Sequence, residues 1–465
     1  MSGIPDPSTE PPPILPHDAY LAFRSRAYRF YSVGNFISVI GRQMLGVALS
    51  YEVFRRTQSA TALGLIGLAG ALPIVFLALP AGQIADRFNR RRIIILTQAL
   101  GALTSIGLML VSIWADSIPA WPALKWSASG LAWLAARFHE SGARVHFGPE
   151  TPLMFGLLLL NGIARTFGWA ARSPFMANLV PRNALANAVT WGSSLFEIGS
   201  IAGPALGGFV IALSGFPAVY GLDAVCSVAF IAFLLPIQAK QEAFTPEGHP
   251  VRELFSGLRF VVRTKVILAT ITLDLFAVLL GGATALLPMY ADQILHVGPL
   301  GLGWLRGAQS IGAVAMAVSI AHLPPMRRAG WTMLIAVSGF GAATIIFGLS
   351  KWFWLSFLAL AAAGAFDNIS VVVRHTLVQI LTPDAMRGRV AAVNNIFIGS
   401  SNELGAFESG ITAALWGPII SVVAGGIGTI FVVIATALRW PEVRTIGALA
   451  VPEEKTPDAP DPRED

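Results

Sequence analysis

The residues best placed to do chemistry in this 465-residue chain are ionised side chains set in stretches that otherwise carry none. Arg42, Arg165 and Arg306 interrupt apolar runs, and so do the acids Glu197, Asp274, Asp367, Glu403 and Glu408. A charge in such surroundings is costly unless it meets water or an opposite charge. Each therefore marks either a path for protons or substrate, or a structural ion pair. Asn35, Gln43, Asn161, Asn368, Asn394 and Asn395 have the same two readings, as lining of a polar route or as hydrogen bonds between neighbouring helices.

A second concentration of charge is GQIADRFNRRR, residues 82–92, where Gly82 is followed by Asp86, Arg87, Arg90, Arg91 and Arg92. A basic connection between apolar segments accounts for the arginines but not for the glycine spacing or the aspartate. Other chemistries find no support. The chain has no HExxH pair, no GxSxG elbow and no phosphate-cradling GxxxxGK[ST] loop, so an enzyme is not expected. Its one cysteine, Cys226, lies in an apolar run and reads as packing. His139 and His146 are the nearest approach to a metal pair, but loop histidines without a scaffold read as solvated. Neither metal nor cofactor is expected.

The elements that must position these charges follow from composition. With 54% hydrophobic residues, 12% charged residues and a mean hydropathy of +0.65, the chain is too apolar for a water-soluble protein. Its apolar runs approach the roughly 20 residues that a helix needs to cross a bilayer. They predict an all-α polytopic membrane protein with spans near 28–52, 60–82, 93–114, 153–173, 187–213, 217–236, 266–290, 301–322, 331–350, 352–375, 389–414 and 417–438. Tight turns at Gly215-Phe216-Pro217 and Gly417-Pro418 separate the closest neighbours. An even count puts both tails on one side. Residues 1–27 and 439–465 read as disordered tails, rich in proline and charge. The face with the tails holds 23 Lys and Arg against 6 on the other, so both tails are expected in the cytoplasm. The basic balance then reflects lipid-facing loops and calls for no nucleic-acid partner.

The chain also repeats itself. A shift of 202 residues brings Gly162, Arg172, Pro181, Gly203 and Gly208 onto Gly364, Arg374, Pro383, Gly405 and Gly410. Upstream the register becomes 236, with Arg90-Arg91-Arg92 opposite Met326-Arg327-Arg328. Two related six-helix bundles result, 28–236 and 266–438, joined by a cytoplasmic linker, 237–265. The difference in register is an insertion at 115–152 on the outward side. There Leu131, Leu134 and Phe138 recur at helical spacing and Trp121, Trp126 and Trp133 favour an interface, which predicts a short helix resting on the membrane.

Residues 82–92 resemble the signature loop of the major facilitator superfamily, Gly-x-x-x-Asp-Arg-x-Gly-Arg-Arg. Gly82, Asp86, Arg87, Arg90 and Arg91 match, and Asn89 replaces the second glycine. GSIAGPALGG, with Gly199, Gly203, Pro204, Gly207 and Gly208, is similar to the family's antiporter motif, although Thr190 stands where an earlier glycine belongs and generic small-residue packing is the competing reading. Residues 367–394 add a likeness to the drug and siderophore exporter branch. The resemblance implies that the first loop is a conformational latch. It also implies that the first, fourth, seventh and tenth helices line a central cavity, which places Arg42, Arg165, Asp274 and Asp367 there. The shift of 202 sets Arg165 opposite Asp367, and a pair between them would couple protonation to the position of the two bundles.

The expected function is secondary active transport by alternating access, as proton-coupled export of a small amphipathic compound, drug-like or siderophore-like. A lipid or lysolipid flippase and a proton-coupled importer are the alternatives. The expected partners are a small-molecule substrate, protons and membrane lipids, for a monomer in a bacterial-type plasma (inner) membrane.

Overall fold

The computed structural model describes residues 18–119, 121–138, 145–238, 250–322 and 326–447; most of both tails, and His139, lie outside them. The described residues are helical almost throughout. The N-terminal bundle holds α1 (Arg26–Thr57), α2 (Ala60–Arg87), α3 (Arg90–Ile113), the short α4 (Pro122–Arg137), α5 (Glu150–Ala177) and α6 (Leu185–Leu234). After α7 (Pro250–Arg263) come α8 (Lys265–Leu280), prolonged through the turn α9 (Leu287–Met289) to Ile294, and then α10 (Gly298–His322), α11 (Ala329–Leu349), α12 (Phe353–Leu381), α13 (Asp384–Trp416) and α14 (Pro418–Arg439).

Eight of the described helical segments are long and apolar enough to cross a bilayer by themselves. One of them, α6, is two crossings. Its backbone leaves helical geometry at Gly215 (φ 79°, ψ −178°), so the chain doubles back there. The helices α1, α10 and α13 supply the rest of the twelve. They are more polar, and they are long enough: a 32-residue helix such as α1 extends about 48 Å. Side-chain caps set several starts, with Ser25, Ser59 and Asn89 accepting from the amides of Tyr28, Ala62 and Arg92. The described ends of the chain lie on one face, called here the tail face; the opposite one is the far face.

The structure refines the expected boundaries in three places. The helices run past the apolar spans, so Arg55, Arg56, Asp86 and Arg87 sit inside α1 and α2. The helices α5 and α12 likewise run on to Ala177 and Leu381, beyond the expected ends at 173 and 375. The linker contains a helix, α7, because Leu258 and Val261 fall at helical spacing and cover Ile267, Ile271, Val390 and Val393.

The repeat is present in three dimensions. Gly215 and Gly417, which the shift of 202 superposes, both take positive φ (79° and 86°) at the far-face turns. Gly203 admits Ile40 and Gln43 of α1, while Gly405 admits Val278 and Leu279 of α8. Gly208 meets Pro299 and Gly303 of α10 in the other bundle, and Gly410 meets Gly64 of α2 in the first. Gly162 lies against Pro73 and Gly364 against Gln309, two partners themselves related by 236. At Gly203, Gly208, Gly364, Gly405 and Gly410 a neighbouring backbone stands within 3 Å of where a Cβ would go, so only glycine fits there.

The insertion forms α4. Leu124, Ala128, Leu131 and Ala135 face the bundle, while Trp126 and Trp133 are exposed. The exposed Trp114, Trp352, Trp354 and Trp416 mark the same far-face level at the ends of α3, α12 and α13. An aromatic belt at a membrane surface has this form.

Candidate transport pathway and latches

The two bundles meet along α2 with α13 and α6 with α10. On α2 the stripe Gly64, Gly67, Gly70 receives α13 so closely that a Cβ on Gly67 would stand 2.6 Å from the carbonyl oxygen of Glu403. On α6, a Cβ added to Gly303 of the opposing α10 would stand 2.5 Å from the carbonyl of Pro204. Far-face hydrogen bonds add to this contact: Tyr51 Oη donates to Asp292 Oδ1 at 3.1 Å, and Gln293 Nε2 donates to Gln58 Oε1 at 3.3 Å. At the tail face, hydrogen bonds also tie helices together inside each bundle. Examples are Tyr28 Oη to the carbonyl of Ala188 (2.8 Å) and Lys265 Nζ to Glu442 Oε1 (2.9 Å).

The contact also loosens along α2 itself. Gly82 lies eighteen residues after Gly64, which is five helical turns, so both occupy one face of α2. Gly64 is filled by α13, whereas a Cβ on Gly82 would find nothing within 4 Å. Gly388, at the tail-face end of α13, is equally open.

Between these levels lie the intramembrane charges. Arg165, midway along α5, has a side chain 44% exposed. A guanidinium is not left facing hydrocarbon, so Arg165 borders an aqueous cavity between the bundles. The structure pairs it with Glu403 of α13 at 2.5 Å and not with Asp367, and Arg306 of α10 also feels the Glu403 charge. Asp367 is half-buried in α12 and forms no ion pair among the described residues. Asp274 is ion-paired with Arg374 inside the second bundle, both side chains nearly inaccessible. Of the four predicted lining residues, then, Arg165 is paired across the bundles, while Asp274 is tied to a partner in its own bundle.

Arg42 is half-buried in α1, one residue after Gly41, where a Cβ would stand 2.7 Å from Asp223 Oδ1. Asp223, on the second limb of α6, is buried and accepts from Ser105 Oγ at 2.6 Å. Arg172 donates to Gln98 Oε1 at 2.7 Å, stacks over Phe230, and leaves its Nε without a partner. Glu197 is half-buried in α6, and Glu408 receives Ser409 Oγ at 3.5 Å. Of the polar side chains, Gln43 bonds Ser200 and Asn161 bonds Thr104, both within the first bundle. Asn394 is buried, Asn395 is exposed, and Asn35 and Asn368 each carry a buried oxygen without a partner.

Sequence reasoning passed over Asp223 and a second buried carboxylate, Glu52. Glu52 is 0% exposed and receives Tyr220 Oη, Ser112 Oγ and Arg56 Nε at 2.7–2.8 Å, tying three helices together at the far face. The signal for Asp223 was available, as one acid in an apolar run. Glu52 is the last residue of the expected span 28–52, where a charge reads as the edge of an apolar run.

The loop at 82–92 is short and ordered. Asp86 accepts from Arg90 Nη2 at 3.3 Å across the turn, and Asn89 caps α3. Arg91 donates to the carbonyls of Leu234 and Leu235, a cation on the negative end of α6. Arg87 is exposed. In the antiporter-like segment, Gly199, Gly203 and Gly207 face Val39, Gln43 and Met44 of α1 at one-turn intervals, while Gly208 and Pro204 face α10.

Twelve helices in two related bundles, with a charged cavity between them and a glycine-lined seam on either side, define a transporter and not an enzyme. The chain belongs to the Major Facilitator Superfamily, whose profile matches residues 31–400. It is 25% identical over 419 residues to the enterobactin exporter EntS of Shigella boydii, covering 90% of this chain and 92% of that one, and equally so to EntS of Escherichia coli. Among solved structures it resembles the nucleoside transporter NupG (TM-score 0.65, 13% identity, 89% of this chain and 99% of that one). It likewise resembles the inward-open xylose transporter XylE of E. coli (TM-score 0.63, 12% identity, 89% and 95%).

Proposed function

We propose that this protein exports a small amphipathic compound, drug-like or siderophore-like, in exchange for protons, by alternating access across a bacterial inner membrane with both tails in the cytoplasm. The observation that carries the reading is the state of the seam between α2 and α13, filled at Gly64 and Gly67 and open at Gly82 and Gly388. The cavity then faces the cytoplasm here, and closing α13 onto Gly82 while parting it from Gly67 exposes it to the outside. Gly82, Asp86, Arg87, Arg90 and Arg91 form the latch that settles the balance between the two states. The likeness to an exporter supports the direction, and the tail-face excess of Lys and Arg supports the orientation.

Asp367 is the leading proton carrier. Asp274 is committed to Arg374 inside the second bundle, where both side chains are nearly inaccessible. Asp367 has no such partner among the described residues, and Glu403 is next because its pairing with Arg165 crosses the bundles. In vesicles with an imposed pH gradient, Asp367→Asn is expected to abolish gradient-driven export while solute counterflow persists. Uphill export with an unchanged response to the gradient would move the role to Glu403. Flux of a lysolipid alone, or uptake coupled to proton entry, would replace the export reading by a flippase or an importer.

A further inference from the structure

We infer that the groove between α11 and α14 at the tail face is a binding site for an anionic phospholipid, with an acyl chain along the groove and the phosphate on Arg327 and Arg328. The site belongs to the second bundle alone and stands apart from the direction and coupling of transport.

The groove has a volume of about 300 Å³ and runs from Trp331 and Leu438, on the turns nearest the tail face, to Ser338 and Val433. The seven-residue step from Trp331 to Ser338 gives it a length of about 10 Å. Its walls are apolar apart from Ser338, whose hydroxyl donates to the carbonyl of Leu334 at 2.9 Å, so no wall group calls for a polar guest. Ile335, Ile434 and Leu438 are 62%, 52% and 69% exposed, which opens the groove to the bilayer. An apolar wall without neighbouring atoms forfeits its dispersion contacts, and an acyl chain restores them.

The mouth of the groove is basic. Arg327 and Arg328 immediately precede α11; both are exposed, and neither side chain bonds to a described residue. Arg439 ends α14 next to Leu438. Glu442, three residues on, is taken by Lys265 at 2.9 Å. The first amides of α11 are taken as well, since Ala329 and Gly330 donate to the carbonyls of Gly447 (3.1 Å) and Ile446 (3.4 Å). What the mouth offers is guanidinium, whose planar fork fits phosphate oxygens. A basic pocket between membrane helices at the headgroup level selects anionic lipid.

The first bundle shows what this position does when protein fills it. The shift of 236 sets Arg327 and Arg328 on Arg91 and Arg92, and the shift of 202 sets α14 on the second limb of α6. There Arg91 Nε donates to the carbonyl of Leu234 at 2.9 Å and Arg91 Nη2 to that of Leu235, so the guanidinium closes α3 onto the end of α6. In the second bundle the carbonyl that corresponds to Leu234 belongs to Thr436 and accepts from the Trp440 amide at 3.0 Å, while Arg327 stays unbound. A guanidinium placed to hold oxygen acceptors at the end of this helix pair thus lacks them. A lipid phosphate supplies them.

The experiment uses the full chain, delipidated in a neutral detergent, and reads bound lipid by native mass spectrometry over a titration. The probes are dioleoyl phosphatidylglycerol, dioleoyl phosphatidylcholine and the chainless headgroup glycerophosphoglycerol. Each arginine beside an anionic headgroup is worth about fivefold in affinity, so two give phosphatidylglycerol a preference of about 25-fold over phosphatidylcholine. Arg327→Gln with Arg328→Gln is expected to lower phosphatidylglycerol to the level of phosphatidylcholine and leave the latter unchanged, and the corresponding double lysine variant to keep most of the preference. Ile335→Trp, which fills the groove, is expected to weaken both lipids. A phosphatidylglycerol with a photoreactive diazirine on one acyl chain should label residues 331–338 and 433–438, and unlabelled phosphatidylglycerol should displace it where glycerophosphoglycerol does not. Equal affinity for the two lipids, an unaltered preference in the double glutamine variant, or label spread evenly over the lipid-facing helices overturns the site. Displacement by glycerophosphoglycerol would likewise overturn it by taking the groove out of the binding. Disulfide-linked dimers of Ile335→Cys in a Cys226→Ala background would make this face an interface between copies and exclude the lipid. Every readout is binding, so a failure of the export reading leaves these outcomes untouched.

Discussion

If the α2–α13 seam is a two-position zipper, its glycines bias the protein in opposite directions according to their level. A Cβ on Gly67 would stand 2.6 Å from the carbonyl oxygen of Glu403, 2.7 Å from Ala406 Cβ and 2.9 Å from the Phe407 amide. Two of these three atoms are backbone and cannot swing aside, so Gly67→Ala overpacks the observed state. Overpacking costs about 1–3 kcal/mol, a roughly 5- to 150-fold shift toward the alternative. At Gly82 nothing lies within 4 Å, so Gly82→Leu leaves the observed state unstrained, and leucine is the better helix former by about 1 kcal/mol. Its side chain meets α13 only when the tail face closes, so the same 1–3 kcal/mol falls on that state and traps the protein as observed. The assay is a distance distribution between spin labels on Arg182→Cys and Pro383→Cys, exposed tail-face sites on opposite bundles, in a Cys226→Ala background. Gly67→Ala should enrich the short distance and Gly82→Leu should deplete it, both slowing transport. A shift of the same sign in both variants, or unchanged distances and full transport in Gly82→Leu, refutes the reasoning.

Orientation is tested by single cysteines at Asn89 and Ser129 in the same background. Ser129 should react with a membrane-impermeant thiol reagent on intact cells and Asn89 only after the inner membrane is opened; labelling of Asn89 from outside would reverse the assignment. For the ion pair in the second bundle, Asp274→Asn leaves Arg374, 2% exposed, without its counter-ion and should cost about 3–5 kcal/mol in reversible unfolding in detergent. The double variant Asp274→Leu with Arg374→Met should recover most of that loss, and a double variant as unstable as the single one would show that packing, not charge, is at stake.

Much of the architecture was legible because a bilayer imposes few choices. Apolar runs of the right length must be helices, charged breaks must be connections, and a glycine repeated at a fixed shift marks a place where backbones touch in both halves. Gly208 and Gly410 illustrate this, since sequence showed that they correspond and structure shows that both receive a helix from the opposite bundle. Helix ends were less legible. Arg55, Arg56 and Arg87 lie inside helices because a long cationic side chain can reach a carboxylate or the interface from there, so the break in hydropathy precedes the break in hydrogen bonding.

The charge partners were the least legible part, for a reason specific to duplicated folds. A linear shift equates positions within each bundle, as it does Arg165 with Asp367, but equivalence is not contact. Which helices touch depends on the rotation that sets one bundle against the other. That rotation lays α13 along α2, next to α5, so Arg165 meets Glu403, 238 residues away, while its repeat equivalent stays on α12. The same rotation sets Arg306 of α10 against α1, its Nη2 3.8 Å from where a Cβ on Gly46 would stand. Duplication alone would have left the halves electrostatically alike. Their divergence at Ser38 and Asp274 gives Arg374 a carboxylate partner inside the second bundle and leaves Arg172 with the amide of Gln98 inside the first.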